Sequence, residues 1–192
     1  MPDLVLASTS RYRRALLHRL GVPFRCHPPG IDEDAPKSSI ASPLALAEAL
    51  ARAKAGCLAE AEPGAIVIGG DQLVEFEGRV YGKPGSTEAA VRQLAELAGR
   101  SHRLITSIAV RHGGGVIAHT DTTVLHMRPL RREEIERYVA ADRPFDCAGS
   151  YKLEEMGIVL FDRIESSDQS AITGLPLIAL TTILRGLGFE IP

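Results

Sequence analysis

Five short stretches of this chain carry residue types that can do chemistry on a phosphate. The first is Ser8-Thr9-Ser10-Arg11-Tyr12-Arg13-Arg14. Hydroxyls and exposed amides at a helix start accept an anion, and arginines in the first turns add full charge. An ordinary serine cap on a solvated basic helix has the same sequence. The second is Lys54, which shares a stripe with Ala47, Leu50 and Leu58. A lysine in such a stripe either snorkels to water or points into a cleft. The third is Gly69-Gly70-Asp71-Gln72 after an apolar run. Two glycines let another backbone or a ligand come close to the acid, unless Asp71 simply begins a turn. The fourth is Gly82-Lys83-Pro84, and the fifth is Ala148-Gly149-Ser150-Tyr151-Lys152-Leu153-Glu154. Each of these two also reads as an exposed turn or loop. Asp32, Glu33 and Asp34 add an acidic knot that can bind a hard divalent cation through oxygen or stay solvated.

Other chemistries find little support. There is no GxxxxGK[ST], so no P-loop is expected. The six histidines show neither HxxxH nor HExxH spacing, which argues against zinc hydrolysis and a Ser/His/Asp triad. A net charge of -2 gives no overall basic footprint for duplex nucleic acid, so an anionic ligand must be held by a local cluster. The three cysteines, Cys26, Cys57 and Cys147, form no CxxC pair and read as reduced thiols. No apolar run is long enough to cross a bilayer, and the opening MPDLVLASTS lacks the regions of a signal peptide. The expected class is a soluble, cytoplasmic, globular protein without a membrane partner.

The elements that must position these residues follow from periodicity and breakers. Leu4 to Ala7 reads as a buried strand, and Arg11 to Leu20 as a helix ended by Gly21. Cys26 to Ser42 is expected to be loop. Pro43 opens a helix to about Ala61, and Ala65 to Ile68 is a strand ending at Gly69-Gly70-Asp71-Gln72. A hairpin-like stretch turns near Gly78, and a helix from Glu88 to Ala98 is capped by Ser86 or Thr87. Two β-rich segments flank Gly113-Gly114-Gly115, and a charged helix spans about Leu130 to Ala141. Arg143 to Ser170 is expected to be rich in loop, and Leu175 to Leu187 closes the chain as an apolar helix. Strands alternate with helices early, but a hairpin sits in the middle. This order predicts an α/β protein with a mixed sheet.

Taken in order, LASTSRYRR, IDED, the helical lysine, GGDQ, GKP and CAGSYKLE resemble the Maf family of nucleotide pyrophosphatases. The likeness runs from Leu4 to the GLPL segment at Gly174-Leu177. It implies one Maf-like catalytic domain over residues 1–192, with an elongated mixed β-sheet flanked by helices and two lobes around a cleft, a Maf/ITPase-like fold. It implies hydrolysis of a nucleoside triphosphate to the monophosphate and pyrophosphate, with Mg²⁺ or Mn²⁺ as cofactor. Matched position by position, Asp71 is the family's general base. Ser8, Arg13, Lys54 and Lys83 match its phosphate-binding residues, while Glu33, with Asp71, matches the metal site. Family resemblance alone raises a homodimer.

Three positions divide the family's branches. The branch acting on dTTP and UTP usually has Arg at the place of Tyr12, Thr after the catalytic Asp, and Gln at the place of Glu154. Tyr12, Gln72 and Glu154 make this chain similar to the branch hydrolysing 7-methyl-GTP. Methylation at N7 makes the guanine cationic, so an aromatic face at Tyr12 can stack on it, worth roughly 0.5–2 kcal/mol. The Glu154 carboxylate can accept from the guanine N1–H and amino group. The alternatives are a dTTP/UTP pyrophosphatase with altered base contacts, or a regulatory binding protein that inhibits septum formation. Arg11 departs from the family's usual Pro, and Glu155 and Met156 from its smaller or aromatic residues.

Overall fold

Leu4–Ala7 forms strand β1, and all four residues are buried. Alternate side chains of a strand face opposite ways, so a continuous apolar run needs cover on both faces. Here Leu4 and Leu6 pack with Leu16, Leu17, Ile66, Ile68, Ile108 and Leu175. Val5 and Ala7 pack on the other side with Leu58 and Val67. The computed structural model describes residues 3–58 and 61–192.

Six further strands complete the sheet: β2 (Arg25–His27), β3 (Ile66–Phe76), β4 (Arg79–Tyr81), β5 (Ser101–His112), β6 (Gly115–Met127) and β7 (Phe161–Glu165). Their order is β2-β1-β3-β5-β6-β7, with β4 paired to β3. β1 runs parallel to β2 and β3, whereas β3–β4 and β6–β7 are antiparallel. The sheet is therefore mixed, as the order of elements predicted. Helices α1 (Arg11–His18), α2 (Asp34–Ser39), α3 (Pro43–Gly56), α4 (Thr87–Leu97), α5 (Arg132–Asp142), α6 (Gln169–Thr173) and α7 (Leu177–Gly186) complete the α/β fold. No helix among the described residues is long and apolar enough to cross a membrane.

Five expectations need correction. β3 does not end at the glycines but continues to Phe76, so Asp71 sits inside a strand rather than opening a turn. Helix α1 stops at His18, and α3 stops at Gly56 instead of reaching Ala61. Residues 59 and 60, within that longer expectation, lie outside the described residues. The segment expected as loop from Cys26 contains part of β2 and all of α2. Finally, the stretch from Arg143 to Ser170 holds β7 and the start of α6. Short elements of three to six residues carry too little periodicity to stand out from loop.

The chain divides into two compact units. One comprises Met1–Gln72, Thr106–Asp121 and Asp168–Pro192; the other comprises Leu73–Ile105 and Thr122–Ser167. In the first, α1 begins at Ser10, whose hydroxyl accepts from the Arg13 amide at 3.3 Å. Ser42 caps α3 in the same way, with Pro43 in the first turn. In the second, Ser86 caps α4, and α4 packs against α5.

Candidate active site

The site starts from the close approach of α3 to β3. Ala47, Ala51 and Ala55 are all fully buried and recur every four residues along the helix. Opposite them stands Gly69, where a Cβ would lie 2.3 Å from both the Ala51 carbonyl oxygen and the Ala55 amide nitrogen. Only glycine fits there. The same packing sets Lys54 of α3 over Asp71, two residues beyond Gly69 and on the same strand face.

Lys54 is 6% exposed and Asp71 is equally buried. The Lys54 ammonium donates to Asp71 Oδ1 at 2.7 Å and lies 2.8 Å from Glu33 Oε1. Glu33 sits just before α2, and Lys37 approaches its second oxygen at 3.6 Å. Lys54 is thus held inside the protein and not at its surface. It does not snorkel; it joins two carboxylates. Asp71 Oδ2 is buried and has no hydrogen-bond partner among the described residues.

Arg13 completes this charged group. Its stem lies between Gly70 and Gly174: a Cβ at Gly70 would meet Arg13 Nε at 3.4 Å, and one at Gly174 would meet it at 3.5 Å. Arg13 Nε donates to the Gly174 carbonyl at 3.1 Å. Burial lowers the Arg13 guanidinium from its usual value, and the fields of Asp71 and Glu33 work against that shift. For Asp71, burial pushes the carboxyl above its ordinary value, helped by Glu33 and opposed by Lys54 and Arg13. Burial also works upward on Glu33, but Lys54, with Lys37 behind it, holds that carboxyl below its ordinary value. Two acids sharing one ammonium are thus shifted in opposite directions, Asp71 upward and Glu33 downward.

Ser8 follows β1 and is buried; its hydroxyl accepts from the Ser10 amide at 3.1 Å, shaping the turn into α1. Tyr12 is half-buried. The Arg11 guanidinium lies 4.7 Å from its ring centroid and donates to its hydroxyl at 2.6 Å. One face of the ring expected to stack on a base is therefore covered by an arginine. Gln72 points away from Asp71, and its amide nitrogen reaches Thr106 Oγ1 and the Ala171 and Ile172 carbonyls at 2.9, 2.9 and 3.0 Å.

Lys83 and Glu154 belong to the second unit. Lys83 is exposed on the segment between β4 and α4, and Glu154 is exposed on a turn. That turn is built around Lys152, whose carbonyl accepts from the Gly157 amide at 2.8 Å and whose ammonium donates to the Asp142 carbonyl at 2.8 Å. The Lys152 amide donates to the Tyr138 hydroxyl at 3.1 Å.

Sequence reasoning missed two of the partners that hold these groups: Thr106 and the α6 turn. For α6 a signal was present. Asp168 stands at the N-cap and accepts from the Ser170 amide, while Gly174 ends the helix with a φ of 119°. That is the usual pairing of an acidic cap with a glycine stop. Nothing in local sequence marks Thr106, because its partners come from β3 and α6.

A family model described as Maf-like protein matches residues 3–187. A 7-methyl-GTP pyrophosphatase of Bdellovibrio bacteriovorus is 52% identical over 183 residues, covering 95% of this chain and 96% of that one. A 7-methyl-GTP pyrophosphatase of Xanthomonas campestris pv. campestris (strain 8004) is 46% identical over 193 residues, covering 100% of both. Among solved structures, a HAM1 protein from Coxiella burnetii superposes with a TM-score of 0.54 at 16% identity, covering 97% of this chain and 100% of that one. That likeness is one of fold.

Proposed function

Because the chain belongs to the Maf-like protein family, we propose that it hydrolyses 7-methyl-GTP to 7-methyl-GMP and pyrophosphate, with Asp71 as the base. Relatives of that name, 46–52% identical over nearly the whole chain, support the substrate. The observation that carries the mechanism is Asp71 itself. It is a buried carboxylate with its pKa raised, one oxygen on Lys54 and the other without a hydrogen-bond partner among the described residues.

A carboxylate with a raised pKa is a better proton acceptor than an exposed one. Water attacks phosphorus at the α–β bridge, its proton goes to Asp71, and the bridging P–O bond breaks as pyrophosphate leaves. Phosphoryl chemistry of this kind depends on positioning and on stabilising charge. Arg13 and Lys54 supply that charge to the phosphate oxygens, Ser8 shapes the turn beside them, and Lys83 adds a further cation by the family's pattern. In the free protein Lys54 is held by Glu33 and Asp71. A triphosphate competes for that ammonium, and Asp71 is freer to accept a proton once Lys54 turns towards it.

The donor set also fits a divalent cation. Magnesium commonly takes one or two carboxylates and completes its shell with water and substrate phosphates. Asp71 and Glu33 are such a pair and would hold it. Once bound, Mg²⁺ or Mn²⁺ would polarise phosphate oxygens and acidify a neighbouring water. Base selectivity falls to Tyr12 and Glu154 in this reading. Stacking on the face of Tyr12 now covered would require Arg11 to move aside, and Glu154 favours a cationic base by its charge. The reading extends to a cytoplasmic homodimer; three free cysteines support the first part and family resemblance the second.

Pyrophosphate release from a panel of canonical and methylated triphosphates, with Mg²⁺ or Mn²⁺, tests the proposal. It expects 7-methyl-GTP to lead the panel; equal rates on UTP and 7-methyl-GTP would contradict it.

A further inference from the structure

We infer that Gln72 and Thr106 are positioning residues for Arg13, acting through the C-terminal turn of α6, so that position 72 sets the phosphate end of the site instead of reading the base. The inference rests on the phosphate-binding role of Arg13 proposed above.

Residues 70 and 72 share the face of β3 opposite Gly69 and Asp71. Against Gly70 lies the stem of Arg13, and beyond it Gln72 meets α6. The two hydrogens of the Gln72 amide are shared among three acceptors: Thr106 Oγ1, the Ala171 carbonyl and the Ile172 carbonyl. Thr106 is 1% exposed, and its own hydroxyl donates to the Ala171 carbonyl at 2.9 Å. The last carbonyls of a helix have no partners of their own kind ahead of them, so side chains that bind them fix where the helix ends. Two residues further on, the carbonyl of Gly174 receives Arg13 Nε. Gln72, Thr106 and Arg13 therefore all hold one short stretch of backbone, residues 171–174.

That stretch is fastened at its other end as well. Asp168 accepts from the Ser170 amide and from the Ile178 amide, each at 2.8 Å, and Ser170 Oγ accepts from the Leu177 amide at 2.8 Å. With both flanks pinned, the direction of the Gly174 carbonyl is set by what grips the Ala171–Ile172 carbonyls. To contact a base through its amide nitrogen, Gln72 would have to give up these bonds.

The test compares Gln72→Met, Thr106→Val and Thr106→Ser in the full chain, alone and combined with Arg13→Lys. The readouts are kcat/KM for 7-methyl-GTP, GTP and UTP, and calorimetric affinity for inorganic tripolyphosphate. Gln72→Met and Thr106→Val should lower kcat/KM by a similar factor on all three nucleotides, about tenfold for a misaligned charged hydrogen bond, and weaken tripolyphosphate binding in step. Thr106→Ser, which keeps the hydroxyl, should restore both. With Arg13→Lys already present, Thr106→Val should add little, because the bond to Gly174 is already gone; a role in folding alone would instead add its full loss. A Gln72→Met protein that changes the ratio between nucleotides while binding tripolyphosphate normally overturns the inference, as does a Thr106→Val protein unchanged in both readouts. If the unaltered protein releases no pyrophosphate from any nucleotide, the proposed function falls, and the tripolyphosphate measurements still decide this point.

Discussion

Burial and pairing pull on Asp71 in opposite directions, and burial wins. An acid whose pKa is raised keeps its proton to higher pH, so the base form is lost as pH falls through that raised value. In the metal-free protein the Asp71 carboxyl, followed by NMR titration, should therefore lose its proton above the ordinary aspartate value of about 3.9. A titration at or below that value would contradict the dominance of burial. Lys54 offers a second test. Removing one partner of a buried ion pair strands the other, at a cost of roughly 3–5 kcal/mol. Lys54→Met should lose stability of that order in urea at neutral pH. Its deficit should shrink towards acid, because Asp71 escapes by taking a proton. A deficit that does not change with pH would contradict the pairing. Residue types alone could nominate Lys54 and Asp71. They could not show that Glu33 shares the same ammonium, because residue 33 reaches it from a segment whose sequence reads as loop.

At the scale of elements, the contact of α3 with β3 carries the site. Gly69→Ala would drive a Cβ into helix backbone at 2.3 Å, where no rotamer can relieve it. Overpacking of that kind costs about 3 kcal/mol or more. The variant should show a lowered thermal midpoint and a severe loss of turnover, since separating α3 from β3 also separates Lys54 from Asp71. Gly70→Ala meets only side chains, Arg13 and Leu175, at 3.4 Å or more, so its loss should be mainly in kcat/KM, with stability closer to that of the unaltered protein. Equal destabilisation by the two would show that the strand face does not matter. Helices α1, α3 and α4 were legible in sequence because a serine cap at Ser10, Pro43 and a serine cap at Ser86 mark their starts. The extension of β3 through Gly69-Gly70 was not. Glycines usually end or weaken a strand, and here Gly69 is required because helix backbone occupies the space a side chain would fill.

For the whole molecule, the mixed α/β architecture followed from the alternation of elements with a central hairpin, and the comparisons agree on family and fold. Strand order did not follow. β3 lies between β1 and β5, an arrangement set by packing over long sequence separations. The same applies to the site within the first unit, where Arg13, Glu33, Lys54 and Asp71 come from four elements or their flanks. Their types and order suggested a phosphate site, and only the fold shows which of them touch. The role proposed for Asp71, that of the base, depends on all of these contacts. The most direct measurement is kcat/KM for 7-methyl-GTP in the unaltered protein and in Asp71→Asn, which keeps the shape and removes the proton acceptor. With folding verified by an unchanged far-ultraviolet dichroism spectrum, kcat/KM should fall by about 10²–10⁴-fold. An Asp71→Asn protein that keeps a tenth or more of the activity would contradict that role.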